Sequence, residues 1–278
     1  FVTVTFTPTS VYDTNSTISA NPTELTADSA SISTIRITLK DTNNNLIPNI
    51  FVKLASNRGD SDFIMYANGR NDGDTTNAQG EVIAYLKSAL AGTATIYVVE
   101  PTGLNKAIEI KFNYSAIDKF KVELFSVLTN ENEIIKNTFI VGSDTAIIRV
   151  KALDRFDNIV ENYNSSAQLS ITGAESISPA LINADSFVNG VYTGLVNIQI
   201  NRILTNFSVI AANGAQYGVI TGLNANDNEP PIISEARLIA QSSILNNVLS
   251  QSDNFVQLTT KIIDNSNSLT NSLIKANL

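Results

Sequence analysis

The chain has 278 residues, 43% of them hydrophobic and only 16% charged, with a net charge of −8. That acidity argues against nucleic acid and anionic membrane surfaces as partners. There is no Cys and no His, which removes disulfides, thiolate nucleophiles, zinc–thiolate sites and every mechanism that needs a histidine base.

Phe1-Val2-Thr3-Val4-Thr5-Phe6-Thr7 alternates apolar and polar residues, the period of a strand with one buried face. Its match lies at Ile108 to Asn113, where it closes a module, so residues 1–10 read as the last strand of a preceding module. A first Ig-sized module then spans 11–114. Its predicted strands are Thr17 to Pro22, with Pro22 suited to an edge or bulge, then Ser33 to Lys40, Pro48 to Ala55, Glu81 to Leu86 and Thr93 to Val99. Asn71 to Asp74, Asn77 to Gly80 and Glu100 to Gly103 carry turn chemistry between them. A second module spans 115–228 and keeps the landmarks, with Gly190 and Gly214 standing where Gly80 and Gly103 stand in the first. An incomplete third module occupies 229–278, opening at Pro230-Pro231 with too few strands to close a sandwich. Ile239 to Leu249 is the one stretch that admits a helix, and no apolar run approaches the ~20 residues of a membrane span, so no direct membrane insertion is expected in this segment.

One stretch is used three times. Ile35 to Leu39, Ile148 to Leu153 and Leu258 to Ile263 are apolar runs that each lead into an Asp, a polar turn and an apolar residue five positions after the Asp. The three aspartates, Asp41, Asp154 and Asp264, recur at a nearly constant interval. A period far longer than the ~20–50 residues of a solenoid repeat means tandem domains. An all-β module of ~100 residues is the size of an immunoglobulin-like sandwich. The predicted fold class is therefore all-β: tandem immunoglobulin-like β-sandwich modules, end to end.

Asn21-Pro22, Ala27-Asp28, Lys40-Asp41, Ser56 to Ser61, Asn77 to Val82 and Ala91-Gly92-Thr93-Ala94 give the first module a further pattern. With it, the module resembles a bacterial Ig-like domain of the invasin/intimin type. The second module keeps the Asp and the Gly-Val strand but lacks the Ala-Gly-Thr. The resemblance implies an extracellular, cell-surface array of sandwiches, as in adhesin stalks and surface-layer proteins.

For the aspartates there are two readings. One is a turn in which the carboxylate accepts N–H groups of its own loop. The other is calcium, which takes 6–8 oxygen ligands, with Asn43 and Asn45, or Asp157 and Asn158, as helpers. Asn224 to Pro230 resembles the cadherin inter-domain linker that clamps calcium, which implies Asp154, Asp227, Asn228 and Glu229 as ligands. Against it, Asn224 replaces the first Asp and Phe156 stands where that family has Glu. A polar linker stiffened by Pro230-Pro231 is the other reading of this stretch. Arg58-Gly59-Asp60 is an integrin-type tripeptide in a predicted loop, and three-residue motifs recur by chance. No nucleophile–base pair and no cofactor-binding motif is present.

The function expected first is structural and non-enzymatic: part of a surface layer, sheath or filament. The alternatives are the stalk of a cell-surface adhesin and the accessory modules of a large secreted enzyme. The expected partners are other copies of the chain or neighbouring surface proteins. The strands at Phe1 to Thr7 and after Pro230 expose edges, which either continue into the parent protein or pair with a neighbouring subunit by strand donation.

Overall fold

In strands such as Glu81–Ser88, alternation of inward apolar and outward polar residues decides which face is buried. The computed structural model describes residues 7–127 and 133–227, together with the strands at 255–263 and 269–277. Two compact units divide the chain: Phe1–Lys119 with Ala152–Tyr163, and Phe120–Lys151 with Asn164–Leu278.

The first unit is built on β1 (Thr17–Asn21), β2 (Glu24–Thr26), β3 (Ser33–Thr38), β4 (Phe51–Ser56), β5 (Asp62–Tyr66), β6 (Asp74–Thr75), β7 (Glu81–Ser88), β8 (Gly92–Glu100) and β9 (Ala107–Asn113). They form two sheets, in the orders β1-β3-β7-β5 and β2-β9-β8-β4-β6. In β7 every second residue is buried, and Val82, Ala84 and Leu86 meet Ile35 and Ile37 of β3 in the core. The facing sheet supplies Leu54, Ile96, Ile110 and Phe112 to the same core. Burying each of these large side chains contributes about 1.5–3 kcal/mol.

Pro22 marks the place where the chain changes sheets. β1 runs antiparallel to β3 as far as Asn21. Proline has no N–H to continue the ladder, and β2 then pairs parallel with β9, from Glu24 opposite Lys111 to Thr26 opposite Asn113. At Gly80 the chain turns with φ of 65°, where a Cβ would lie 2.8 Å from the Leu39 carbonyl oxygen. Only glycine combines that backbone angle with that approach.

The second unit repeats the plan. Its strands are β10 (Lys119–Ser126), β11 (Thr138–Ile140), β12 (Gly142–Leu153), β13 (Ala167–Thr172), β14 (Ser176–Ser178), β15 (Leu181–Ile182), β16 (Val191–Ile200), β17 (Leu204–Asn213) and β18 (Gln216–Asn226), with Lys119 and the Ala152-Leu153 end of β12 falling in the first unit. The sheet orders are β10-β12-β16-β14 and β11-β18-β17-β13-β15. The same sheet change occurs, with β11 parallel to β18. Phe139 and Phe207 meet edge-on at 5.4 Å between centroids, both buried. Gly190 turns with φ of 73°, as Gly80 does.

Beyond them β19 (Phe255–Ile263) and β20 (Leu269–Asn277) form an antiparallel hairpin, Phe255 opposite Asn277 and Ile263 opposite Leu269. The predicted strand at Leu258 to Ile263 falls in β19. Phe1 to Phe6, Asp264 and the stretch Ile239 to Leu249 lie outside the described residues. Among the described residues there is no α-helix, only single 3-10 turns at Gly59–Ser61 and Ala184–Ser186.

Candidate functional site

Asp41 and Asp154 each follow an apolar run and begin a turn folded around their own carboxylate. Asp41 Oδ1 accepts the N–H of Asn43 at 2.8 Å and of Asn45 at 2.9 Å, and Oδ2 accepts Asn45 Nδ2 at 3.0 Å. Asp154 Oδ1 accepts the N–H of Phe156 and of Asn158, both at 2.9 Å, and Oδ2 accepts Asn158 Nδ2 at 3.0 Å. The backbone closes identically, since Asp41 N–H donates to Asn45 O and Asp154 N–H donates to Asn158 O. The fourth residue of each turn has positive φ, 65° at Asn44 and 68° at Asp157, a conformation that Asn and Asp tolerate. The apolar residue five positions on then bridges back, Leu46 to Lys40 and Ile159 to Leu153.

The incoming chain reaches the same oxygen in both copies. Thr9 N–H donates to Asp41 Oδ2 at 3.2 Å. Ser115 donates to Asp154 Oδ2 through its N–H at 3.0 Å and its hydroxyl at 3.2 Å. Both aspartates are fully buried as residues. The Asn45 amide, with the surrounding N–H donors, holds the Asp41 carboxyl down at about 2. At Asp154 burial opposes the charge, but the Asn158 amide and the N–H groups of Ser115, Asn158 and Phe156 outweigh it and leave the carboxyl below its ordinary value.

What the two turns meet differs. Asn158 is 6% exposed. Its Nδ2 also donates to Ala89 O at 2.8 Å, and its Oδ1 accepts the Ala91 N–H at 2.8 Å. Asn45 is exposed.

Arg58 fixes the connection that Asn158 grips. Its Nη1 donates to the carbonyls of Leu90 at 2.9 Å and of Ala91 and Gly92 at 3.3 Å. Its Nη2 and Nε pair with the two Asp62 oxygens at 2.5 and 3.0 Å, and the Ser56 hydroxyl also donates to Asp62. The guanidinium lies 5.1 Å from the centroid of Phe112. The Asp62 side chain has no exposure and that of Arg58 has 11%.

Residues 12–113, the segment that carries both Asp41 and Arg58, match the family model described as invasin, domain 3. That match covers the first module. The described strands of both units form the paired sheets of Ig-like sandwiches. No curated protein matches it. Among solved structures it is similar to the Escherichia coli adhesin FdeC, with 16% identity, a TM-score of 0.41, and coverage of 92% of this chain and 74% of that one. Yersinia pseudotuberculosis InvD gives 19%, 0.39, 93% and 73%. Invasin, described as a bacterial integrin-binding protein, gives 13%, 0.37, 95% and 60%.

In the invasin-type module the Arg58-Gly59-Asp60 tripeptide is not an open loop. Gly59–Ser61 is a 3-10 turn with Asp60 exposed, while Arg58 is committed to Asp62 and the 90–92 carbonyls. Of the expected calcium ligands, Asp154 already receives five hydrogen bonds, and a carboxylate offers about four lone-pair sites. A cation would have to dismantle the turn to reach it. Asp227 follows β18 directly; Asn228 and Glu229 lie outside the described residues. Among the described residues no group of three or more acidic side chains converges as a metal site. In the Asn71 to Asp74 turn, Arg70 forms a two-bond pair with Asp72 at 2.7 and 2.5 Å and holds its carboxyl below the ordinary range.

In the sequence, Asn45 and Asn158 read only as helpers to a cation. Their signal was the spacing Asp-x-x-x-Asn, present in both modules. Ala89 and Ala91 act through backbone atoms and carry no side-chain signal at all.

Proposed function

We propose that the chain is part of the stalk of a cell-surface adhesin, in preference to a surface-layer, sheath or filament subunit. The observation that carries this is the invasin domain 3 match over residues 12–113. The polar inventory of the module is consistent with a spacer. Asp41, Asp154, Arg58 and Asp62 close turns and hold connections, and the integrin-type arginine faces inward. Receptor contact on this reading belongs to a tip elsewhere in the parent protein, and the immediate partners of the segment are neighbouring modules.

The full chain can be displayed on a bacterial surface between an unrelated anchor and an unrelated binding domain. The tip should then bind its target, and cells carrying the chain without the tip should adhere no more than cells carrying the anchor alone. Regular two-dimensional arrays of the purified chain in electron micrographs would overturn the stalk reading and restore the surface layer.

A further inference from the structure

The same turn occurs twice, and among the described residues its asparagine amide edge meets a second backbone only in the Asp154 copy; the Asp41 copy instead receives Asn15 Nδ2 on the Asp41 and Thr42 carbonyls. A carboxamide carries a donor and an acceptor side by side, so its edge matches a backbone carbonyl and a backbone N–H two residues apart. Asn158 reads such a pair, the Ala89 carbonyl and the Ala91 N–H, each at 2.8 Å. Asn45 is held in the same way, its Nδ2 on Asp41 Oδ2 at 3.0 Å, as Asn158 Nδ2 is on Asp154 Oδ2. Its edge is exposed, and Leu46 beside it is 41% exposed. The approach of the chain is also shared, through Thr9 N–H on Asp41 and Ser115 N–H on Asp154.

We propose that the Asp41–Leu46 turn is a docking seat for the β7–β8 connection of another Ig-like module, one placed directly before Thr9 in the chain. In it the Asn45 carboxamide takes a backbone C=O and N–H two residues apart. The chemistry of the occupant is set by the example in this chain. Ala89, Ala91 and Gly92 are small, so the backbone can come within hydrogen-bonding distance of a turn. Arg58 binds the Leu90, Ala91 and Gly92 carbonyls, which leaves the Ala89 carbonyl and the Ala91 N–H for the seat. The seat itself is neutral in effect, because the buried Asp41 charge is already met by donors from Thr9, Asn43 and Asn45. An uncharged connection of small residues therefore fits it, and a charged loop does not. The inference uses the module reading and does not depend on the adhesin assignment.

The test is a chain in which a second copy of residues 11–114 replaces residues 1–8, so that Tyr114 of the copy runs directly into Thr9. Amide hydrogen exchange is read at the Ala91 N–H of both copies. The original Ala91, protected by Asn158, is the reference within the same molecule. We expect the added Ala91 to be protected to within about tenfold of the reference. Asn45→Ala should release only the added amide, and Asn158→Ala only the original one. The inference is overturned if the added Ala91 N–H exchanges as fast as the original one does in Asn158→Ala. Were Asn45→Ala to unfold its module, the comparison of the two amides in the unsubstituted chain would still decide. Failure here would leave the stalk reading standing, since that is judged by display and by array formation.

Discussion

Replacing Asn158 by Ala removes three hydrogen bonds at once: to Ala89 O, from Ala91 N–H, and to the Asp154 carboxylate. A neutral bond contributes about 1 kcal/mol net and one to a charged group about 1.5–3. Water can re-enter to satisfy Ala89 and Ala91 once the side chain is gone, so the expected loss is about 3 kcal/mol. For a folding unit of ~100 residues that corresponds to a drop in melting temperature of roughly 10 °C or more. Asn45→Ala is the matched control. It removes only the bond to Asp41 at an exposed position, and its expected cost is about 1 kcal/mol. Urea denaturation of both variants, with the midpoint and slope compared, measures the difference. Equal losses would refute the reasoning, because the contact with Ala89 and Ala91 would then contribute nothing. Asn158→Asp sharpens the test: it sets a second carboxylate against Asp154 Oδ2 and the Ala89 carbonyl. It should destabilise at least as much as Ala at neutral pH, and the loss should shrink as the new group protonates.

Arg58→Ala should cost about 3–5 kcal/mol, because it strands the fully buried Asp62 charge. Arg58→Lys should recover less than half of that, since a lysine cannot make the two-bond pair and reach the 90–92 carbonyls together; unchanged urea midpoints in both variants would show that Arg58 is a free surface residue after all. The Asp41 carboxyl is depressed from 3.8 to about 2 in the folded chain, so the unfolded state binds its proton more readily as pH falls. Its stabilisation is complete above about pH 5 and is lost as pH drops from about 4 toward 2; Asp41→Asn should remove that part of the acid decline in urea midpoints, and an unchanged decline would refute the assignment. Chelator and millimolar Ca²⁺ should give the same melting temperature within a degree, and a rise of several degrees with Ca²⁺ would show a native-state site despite the filled Asp154 carboxylate.

The strands that sequence patterning finds are those whose alternation matches their burial. β7 reads Glu81-Val82-Ile83-Ala84-Tyr85-Leu86, and its buried residues are the even-numbered ones, as alternation requires. β5 escapes because its pattern is inverted. Asp62 and Tyr66 point inward while Phe63 and Met65 are exposed, an arrangement that depends on Arg58 neutralising Asp62. β2 is three residues long and pairs parallel with β9, the last strand of its module, so nothing local announces it. The repeated Asp was legible and so was its role as a turn template. What the turn touches was not, because Ala91 lies 67 residues from Asn158 and offers only backbone. The packing also cuts across the repeat: periodicity assigns the Asp154 turn to the second module, whereas residues Ala152–Tyr163 fall in the first compact unit.

Tandem repetition separates what a turn does for itself from what it does for a neighbour. Bonds from carboxylate to turn backbone measure 2.8 and 2.9 Å at Asp41 and 2.9 Å twice at Asp154, and the same left-handed residue follows in each. These features are intrinsic, because each copy makes them from its own short loop. The burial of Asn158 and the exposure of Asn45 are then extrinsic, set by whether a second backbone is present to meet the amide. The integrin-type tripeptide obeys the same logic in reverse. Its three letters are local, but the fate of Arg58 is decided by Asp62 on the adjoining strand and by carbonyls of the β7–β8 connection, distant in sequence. The arginine of the motif is therefore committed within the module, while Asp60 stays exposed.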